Sequence, residues 1–139
     1  MIIVSVNIKS SLEKVWEFWN NPLHIQNWYF ASNDWHCPKA SNDLQVGKNF
    51  NFRMEAKDGS FGFNFEGKYT AIIALEKIEY ILADGRKVIT TFEKQENSVL
   101  VTQKFDPENE NTAELQQNGW QAILNNFKKC VEENYLNLN

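Results

Sequence analysis

Residues 112–136 read TAELQQNGWQAILNNFKKCVEENYL, and this stretch decides the fold. Leu115, Trp120, Ile123, Leu124, Phe127, Val131 and Tyr135 fall on one helical stripe with polar residues around the rest. Thr112 is placed to cap the helix, and Pro107 closes whatever precedes it. At about 1.5 Å per residue the helix is roughly 35 Å long, enough to cross a sheet. Gly119 in its interior costs about 1 kcal/mol against Ala, so a close backbone approach beside Trp120 is expected.

The sheet to be crossed lies upstream. Phe50, Phe52 and Met54 alternate with Asn51, Arg53 and Glu55, and Asp58-Gly59 supplies a hairpin turn. Phe61, Phe63, Phe65 and Tyr69 share one parity, with Asn64, Glu66 and Lys68 on the other. Ile78, Tyr80 and Leu82 end at Asp84-Gly85. Val88, Thr90 and Phe92 follow, and Glu96-Asn97 turns into Val99, Val101 and Phe105. Each strand has an apolar and a polar side, which predicts a sheet covered on one face and wet on the other.

At the other end Ile2, Val4, Val6 and Ile8 alternate as a half-buried strand. Ser10, three residues before Glu13, has the spacing of a capping box, and Leu12, Val15, Trp16 and Trp19 predict a helix to about Asn20. Pro22 suits the start of a second short helix that turns Leu23, Ile25 and Trp28 inward. Residues 33–42, interrupted by Pro38, read as an irregular or edge segment. No linker, repeat or low-complexity stretch divides the chain, so one domain over 1–139 is expected. Its class is α+β: an antiparallel sheet, two short helices after the first strand and a long C-terminal helix.

Composition narrows the function. A net charge of −4 argues against nucleic acid, which needs a basic stripe, and against an anionic membrane surface. No run reaches the roughly 18 apolar residues of a membrane span, and the opening strand lacks the basic start of a signal peptide. The two cysteines, Cys37 and Cys130, are read as free thiols in a reducing cytoplasm. Five Trp and ten Phe in 139 residues imply a thick core or a cavity lined by rings.

Chemistry-bearing clusters are sparse. Cys37 adjoins His36, but neighbours on an extended segment point opposite ways, so a surface histidine and a structural thiol are expected. Asp34 and His36 share parity and could meet at a pocket mouth, or sit in a solvated loop. The two histidines and two cysteines match no common zinc spacing, and no glycine-rich phosphate loop precedes a helix. No catalytic residue, metal or cofactor is therefore assigned. Lys14 and the cluster from Lys128 to Glu133 read as solvated helix faces.

Several strings carry a resemblance that spans nearly the whole chain. Leu12-Glu13-Lys14-Val15-Trp16 resembles the motif that opens the first helix in the SRPBCC, or START-like, superfamily. His24 to Trp28, Asp43 to Gly47, Asp58-Gly59-Ser60, Glu66-Gly67-Lys68-Tyr69 and, most specifically, Phe105-Asp106-Pro107-Glu108 followed by Gly119-Trp120 look like the family of the activator of the heat-shock protein 90 ATPase. The resemblance implies a helix-grip fold, as in the birch-pollen allergen, with a curved sheet around the long helix and a deep apolar cavity. Trp28, Trp35, Phe52, Phe63, Phe65, Tyr80, Trp120 and Leu124 would line it, Tyr80 and the indole N–H groups serving as polar handles. A module binding a lipid or other hydrophobic small molecule is the first expectation. A polyketide-cyclase-like enzyme and a chaperone-interacting protein are the alternatives. The two-domain co-chaperone of that family engages its partner through an additional N-terminal domain, for which a single expected domain leaves no residues.

Overall fold

The computed structural model describes residues 1–136 and their side chains through 133. The alternating stretches become β1 (Ile2–Ile8), β2 (Trp35–Asn42), β3 (Asn49–Ala56), β4 (Gly62–Ile73), β5 (Lys77–Leu82), β6 (Lys87–Lys94) and β7 (Val99–Phe105). The helices are α1 (Leu12–Asn20), α2 (Pro22–Ile25) and α3 (Ala113–Leu136). The strands form one antiparallel sheet in the order β1-β7-β6-β5-β4-β3-β2. Successive strands are neighbours except that β1 closes onto β7, Val4 facing Gln103 and Val6 facing Val101. Tyr135, the last residue of the expected stripe, lies outside the described side chains, and 137–139 lie outside the described residues.

Turn chemistry sets the meander. Gly59 and Gly85 take the left-handed backbone (φ 77° and 90°) that their hairpins require. A bulge between Tyr69 and Ala71 shifts the register of β4, so Ile72 rather than Ile73 turns inward to pair with buried Ile78. A second irregularity between His36 and Lys39 accommodates Pro38 on β2, which is a strand at the sheet edge.

The core sits on the concave face. Trp19 packs edge-on to Phe127 (4.9 Å between centroids) and Phe92 (5.7 Å), while Trp28 meets Phe127 at 4.6 Å. Thus α1, the segment after α2 and the middle of α3 share one aromatic cluster. Asn126 adds a hydrogen bond from Nδ2 to the Trp28 carbonyl (3.0 Å), tying α3 to the segment after α2.

Along β1 the long helix does more than cover. Gln117 Nε2 donates to the Ile3 carbonyl (3.1 Å), and the Gln121 amide both donates to the Ser5 carbonyl (2.9 Å) and accepts from the Ser5 N–H (3.4 Å). Further on, Lys128 Nζ donates to the Asn7 carbonyl and the Lys9 N–H donates to Glu132 Oε2 (2.8 Å). A row of side chains thus stands where a further strand would pair.

Four local expectations change. Ser11, not Ser10, caps α1, its hydroxyl accepting from the Lys14 N–H (3.2 Å). Leu23 is 74% exposed, because α2 is a single turn whose inward position is taken by Ile25. Lys128 and Glu132 pair as expected (2.9 Å) but serve the β1 edge, and burial lowers the Lys14 ammonium's pKa beside Cys130. Gly119 makes no close approach, since a Cβ built there would meet nothing within 4 Å.

Candidate ligand-binding cavity

Where α3 is held against β1 it stands away from β3 and β4, and a cavity of about 280 Å³ lies between them. Met54 of β3, Phe63 and Phe65 of β4, and Trp120 and Ile123 of α3 form its apolar wall, with Tyr29 from the segment after α2. Trp120 is fixed by stacking on Phe105 (3.9 Å, 11° between planes) and by an edge contact to Phe65 at 5.9 Å. Leu115, expected on the buried stripe, is 58% exposed because it stands at the rim of this space.

One end of the cavity is polar. Gln116 is buried and holds the loop before α3: its Nε2 donates to the carbonyls of Asn111 (2.8 Å) and Glu108 (3.2 Å), and its Oε1 accepts from the Glu108 N–H (2.9 Å). Arg86, in the turn after β5, donates through Nε to Asp84 Oδ2 (2.7 Å) and also lines the space. Gln103 reaches it from β7, its Nε2 donating to the buried Thr90 hydroxyl (3.2 Å). The Tyr80 hydroxyl is bonded to Gln103 and Tyr29. Burial holds both phenols well above their usual pKa, so they stay neutral.

Behind Tyr29 lies a second void of about 10 Å³, ringed by Trp28, Phe52, Tyr69 and Tyr80. That is about the least that admits one water, so these rings serve as packed core. A groove of about 610 Å³ crosses the wet face at Asn51, Glu66, Lys68 and Ile81. It is larger and lies on the outer face, where Asn51 donates through Nδ2 to Glu66 at 3.3 Å while its Oδ1 is buried with no hydrogen-bond partner.

Of the eight residues expected around a pocket, Phe63, Phe65 and Trp120 stand on the cavity wall. Trp28, Phe52 and Tyr80 surround the small void, and the Trp28 indole N–H is engaged by the Phe18 carbonyl (3.1 Å). Leu124 is fully buried, and Trp35 joins Phe61 and Phe63 (6.0 Å to each) at the β3–β4 hairpin. Tyr29, Met54, Arg86, Gln103, Gln116 and Gly119 were not foreseen in this role. Two carried a readable signal: Gln103 occupies a covered parity between Val101 and Phe105, and Gln116 precedes Trp120 by one helical turn on the inner stripe. Arg86 carried none.

The residues weighed for catalysis do not converge. His36 faces Glu55 (4.0 Å), Asp34 accepts from the Ser32 hydroxyl, and the buried Cys37 thiol donates to the Lys39 carbonyl (3.5 Å). Burial pushes the Cys37 pKa up to about 11. Cys37 and Cys130 are free thiols. Among the described residues no three His, Cys, Asp or Glu side chains converge on a common point, and no helix is long and apolar enough to cross a membrane.

Comparison with known proteins places this geometry. A sequence model of the Activator of Hsp90 ATPase homolog 1-like protein family matches residues 9–132. The solution structure of an AHSA1-like protein from Aeromonas hydrophila is 39% identical, superposes with a TM-score of 0.89 and is covered over 99% of this chain and 97% of its own. A protein from Cytophaga hutchinsonii is 46% identical, with a TM-score of 0.83 and coverage of 99% and 95%. A Nitrosomonas europaea protein shares the fold (TM-score 0.82, 97% and 96% coverage) at 11% identity. No curated protein matches the chain. A curled seven-stranded sheet gripping a long C-terminal helix, joined to a family match over most of the sequence, makes this chain a member of the Activator of Hsp90 ATPase homolog 1-like family within the SRPBCC superfamily.

Proposed function

We propose that the protein binds a small amphipathic molecule non-covalently, its apolar body between α3 and β4 and its polar end toward Arg86 and Gln103. The observation that carries this reading is a cavity with aromatic walls and one polar end, beside a loop held by three hydrogen bonds to Gln116. Its size sets an affinity. At roughly 30 Å³ per methylene-sized group, 280 Å³ holds about nine such groups. At about 0.8 kcal/mol for each buried CH₂ they supply roughly 7 kcal/mol, which corresponds to micromolar binding.

The test is a fluorescence titration with decanoate, decanol and anilinonaphthalene sulfonate, Trp120 serving as the internal reporter. Saturable micromolar binding is expected, weakened about tenfold or more by Phe63→Glu, a half-exposed wall position that a carboxylate can occupy without unfolding the sheet. Arg86→Met should weaken decanoate more than decanol. Absence of a saturable signal from every probe would defeat the reading. Chemical alteration of a bound compound by the wild type but not by Glu108→Gln, which removes the one carboxylate lining the cavity, would replace it with an enzymatic one.

A further inference from the structure

Glycine is the poorest helix former after proline, yet Gly119 sits seven residues into a helix that continues to Leu136. The usual reasons for a glycine are missing. Positive φ among the glycines belongs to Gly47, Gly59 and Gly85, so no left-handed backbone requires one here. Packing does not require it either: at Gly67 a Cβ would lie 2.8 Å from the Phe50 ring, whereas at Gly119 it would meet nothing within 4 Å. What surrounds the missing side chain is the cavity itself, which Gly119 lines between Leu115 and Trp120.

We propose that Gly119 is the residue that sets how large a ligand the cavity accepts, leaving α3 bare so that the ligand lies against the helix backbone. This rests on the ligand-binding reading above. A methyl group takes about the room of one water, roughly 30 Å³, and a leucine side chain about four times that. In a cavity of about 280 Å³ the first removes one methylene-sized place and the second nearly half of the space. The chain thus keeps a less stable helix in exchange for room.

The experiment pairs thermal melting with displacement of anilinonaphthalene sulfonate by octanoate, decanoate and dodecanoate, in the wild type, Gly119→Ala and Gly119→Leu. Gly119→Ala should raise Tm by about 2–4 °C through helix propensity. It should weaken the longest acid that the wild type accepts by about fourfold, the worth of one buried CH₂, and leave octanoate nearly unchanged. Gly119→Leu should lose upwards of a hundredfold on that same acid, four places being filled. A wild type that binds the probes, with variants that melt higher and bind every acid equally well, would overturn the role of Gly119 and leave ligand binding standing. A wild type that binds none of them would remove both. A Gly119→Ala variant that melts lower would point to packing at this position and overturn the proposal without reference to ligand.

Discussion

Tyr29, Tyr69 and Tyr80 bring three hydroxyls into a core that is otherwise almost entirely apolar. Each is supplied with a partner: Tyr69 donates to Asn42 Oδ1, and Tyr29 bonds Tyr80, which in turn bonds Gln103. Their satisfaction is what makes their burial tolerable, since an unpartnered buried hydroxyl costs roughly 1–3 kcal/mol. Burial holds all three phenols above the ordinary value of 10.0. The folded state therefore favours the neutral form, and the stability this gives is fully present below pH 10 and lost as pH rises beyond it. In an ultraviolet titration these three phenols should ionise only with cooperative alkaline unfolding. Reversible ionisation of every tyrosine near pH 10 with the fold intact would contradict the burial described.

The row of side chains from Gln117 to Glu132 depends on a match of element lengths. Fifteen residues of helix at about 1.5 Å advance roughly 22 Å, and six residues of strand at about 3.3 Å advance roughly 20 Å, so α3 and β1 keep pace from Ile3 to Lys9. Gln121→Ala removes two of these bonds and should cost about 1–2 kcal/mol in denaturant unfolding, while exposing the backbone edge of β1 to other chains. Partial burial works against the Glu132 carboxylate, but the bonds from Lys128 and the Lys9 N–H hold its pKa below the usual 4.5. Its contribution is present above that value and lost as pH falls through the lower folded value. The difference between wild type and Glu132→Gln should therefore shrink below about pH 4, read as convergence of their urea midpoints.

This row was invisible in the sequence, because an amphipathic pattern sends polar residues to water and Gln117, Gln121, Lys128 and Glu132 all lie off the apolar stripe. The stripe itself, the alternation of β3 to β7 and the Asp-Gly turns were legible, since each is a local property of spacing. Spacing alone did not show the cavity, which only the family resemblance implied: Phe63 and Phe65 occupy the covered parity whether a helix touches them or stands off. The standoff is a distance between elements remote in sequence, and Gly119, read as a close backbone approach, pointed the other way. The bulge in β4 was hidden likewise, as alternation continues past Tyr69 without a break.

At the scale of the whole molecule the sheet has two edges with different fates. β2 ends it with Pro38 and a register break, and β1 ends it under α3. The helix is thus stitched to the sheet down one long side, and over β4 it has the cavity beneath it. It is bound like a leaf in a book, sewn at the spine and loose at the fore-edge. Anything entering should part the pages at the fore-edge, where Leu115, Phe63 and the loop held by Gln116 meet, and leave the stitching in place. Hydrogen exchange with and without decanoate should slow at Asn111, Gln116 and their neighbours on binding, while the Ser5 and Lys9 amides keep the same rate. Equal slowing at both margins would mean that the leaf lifts whole, and that the stitches give way each time a ligand comes and goes.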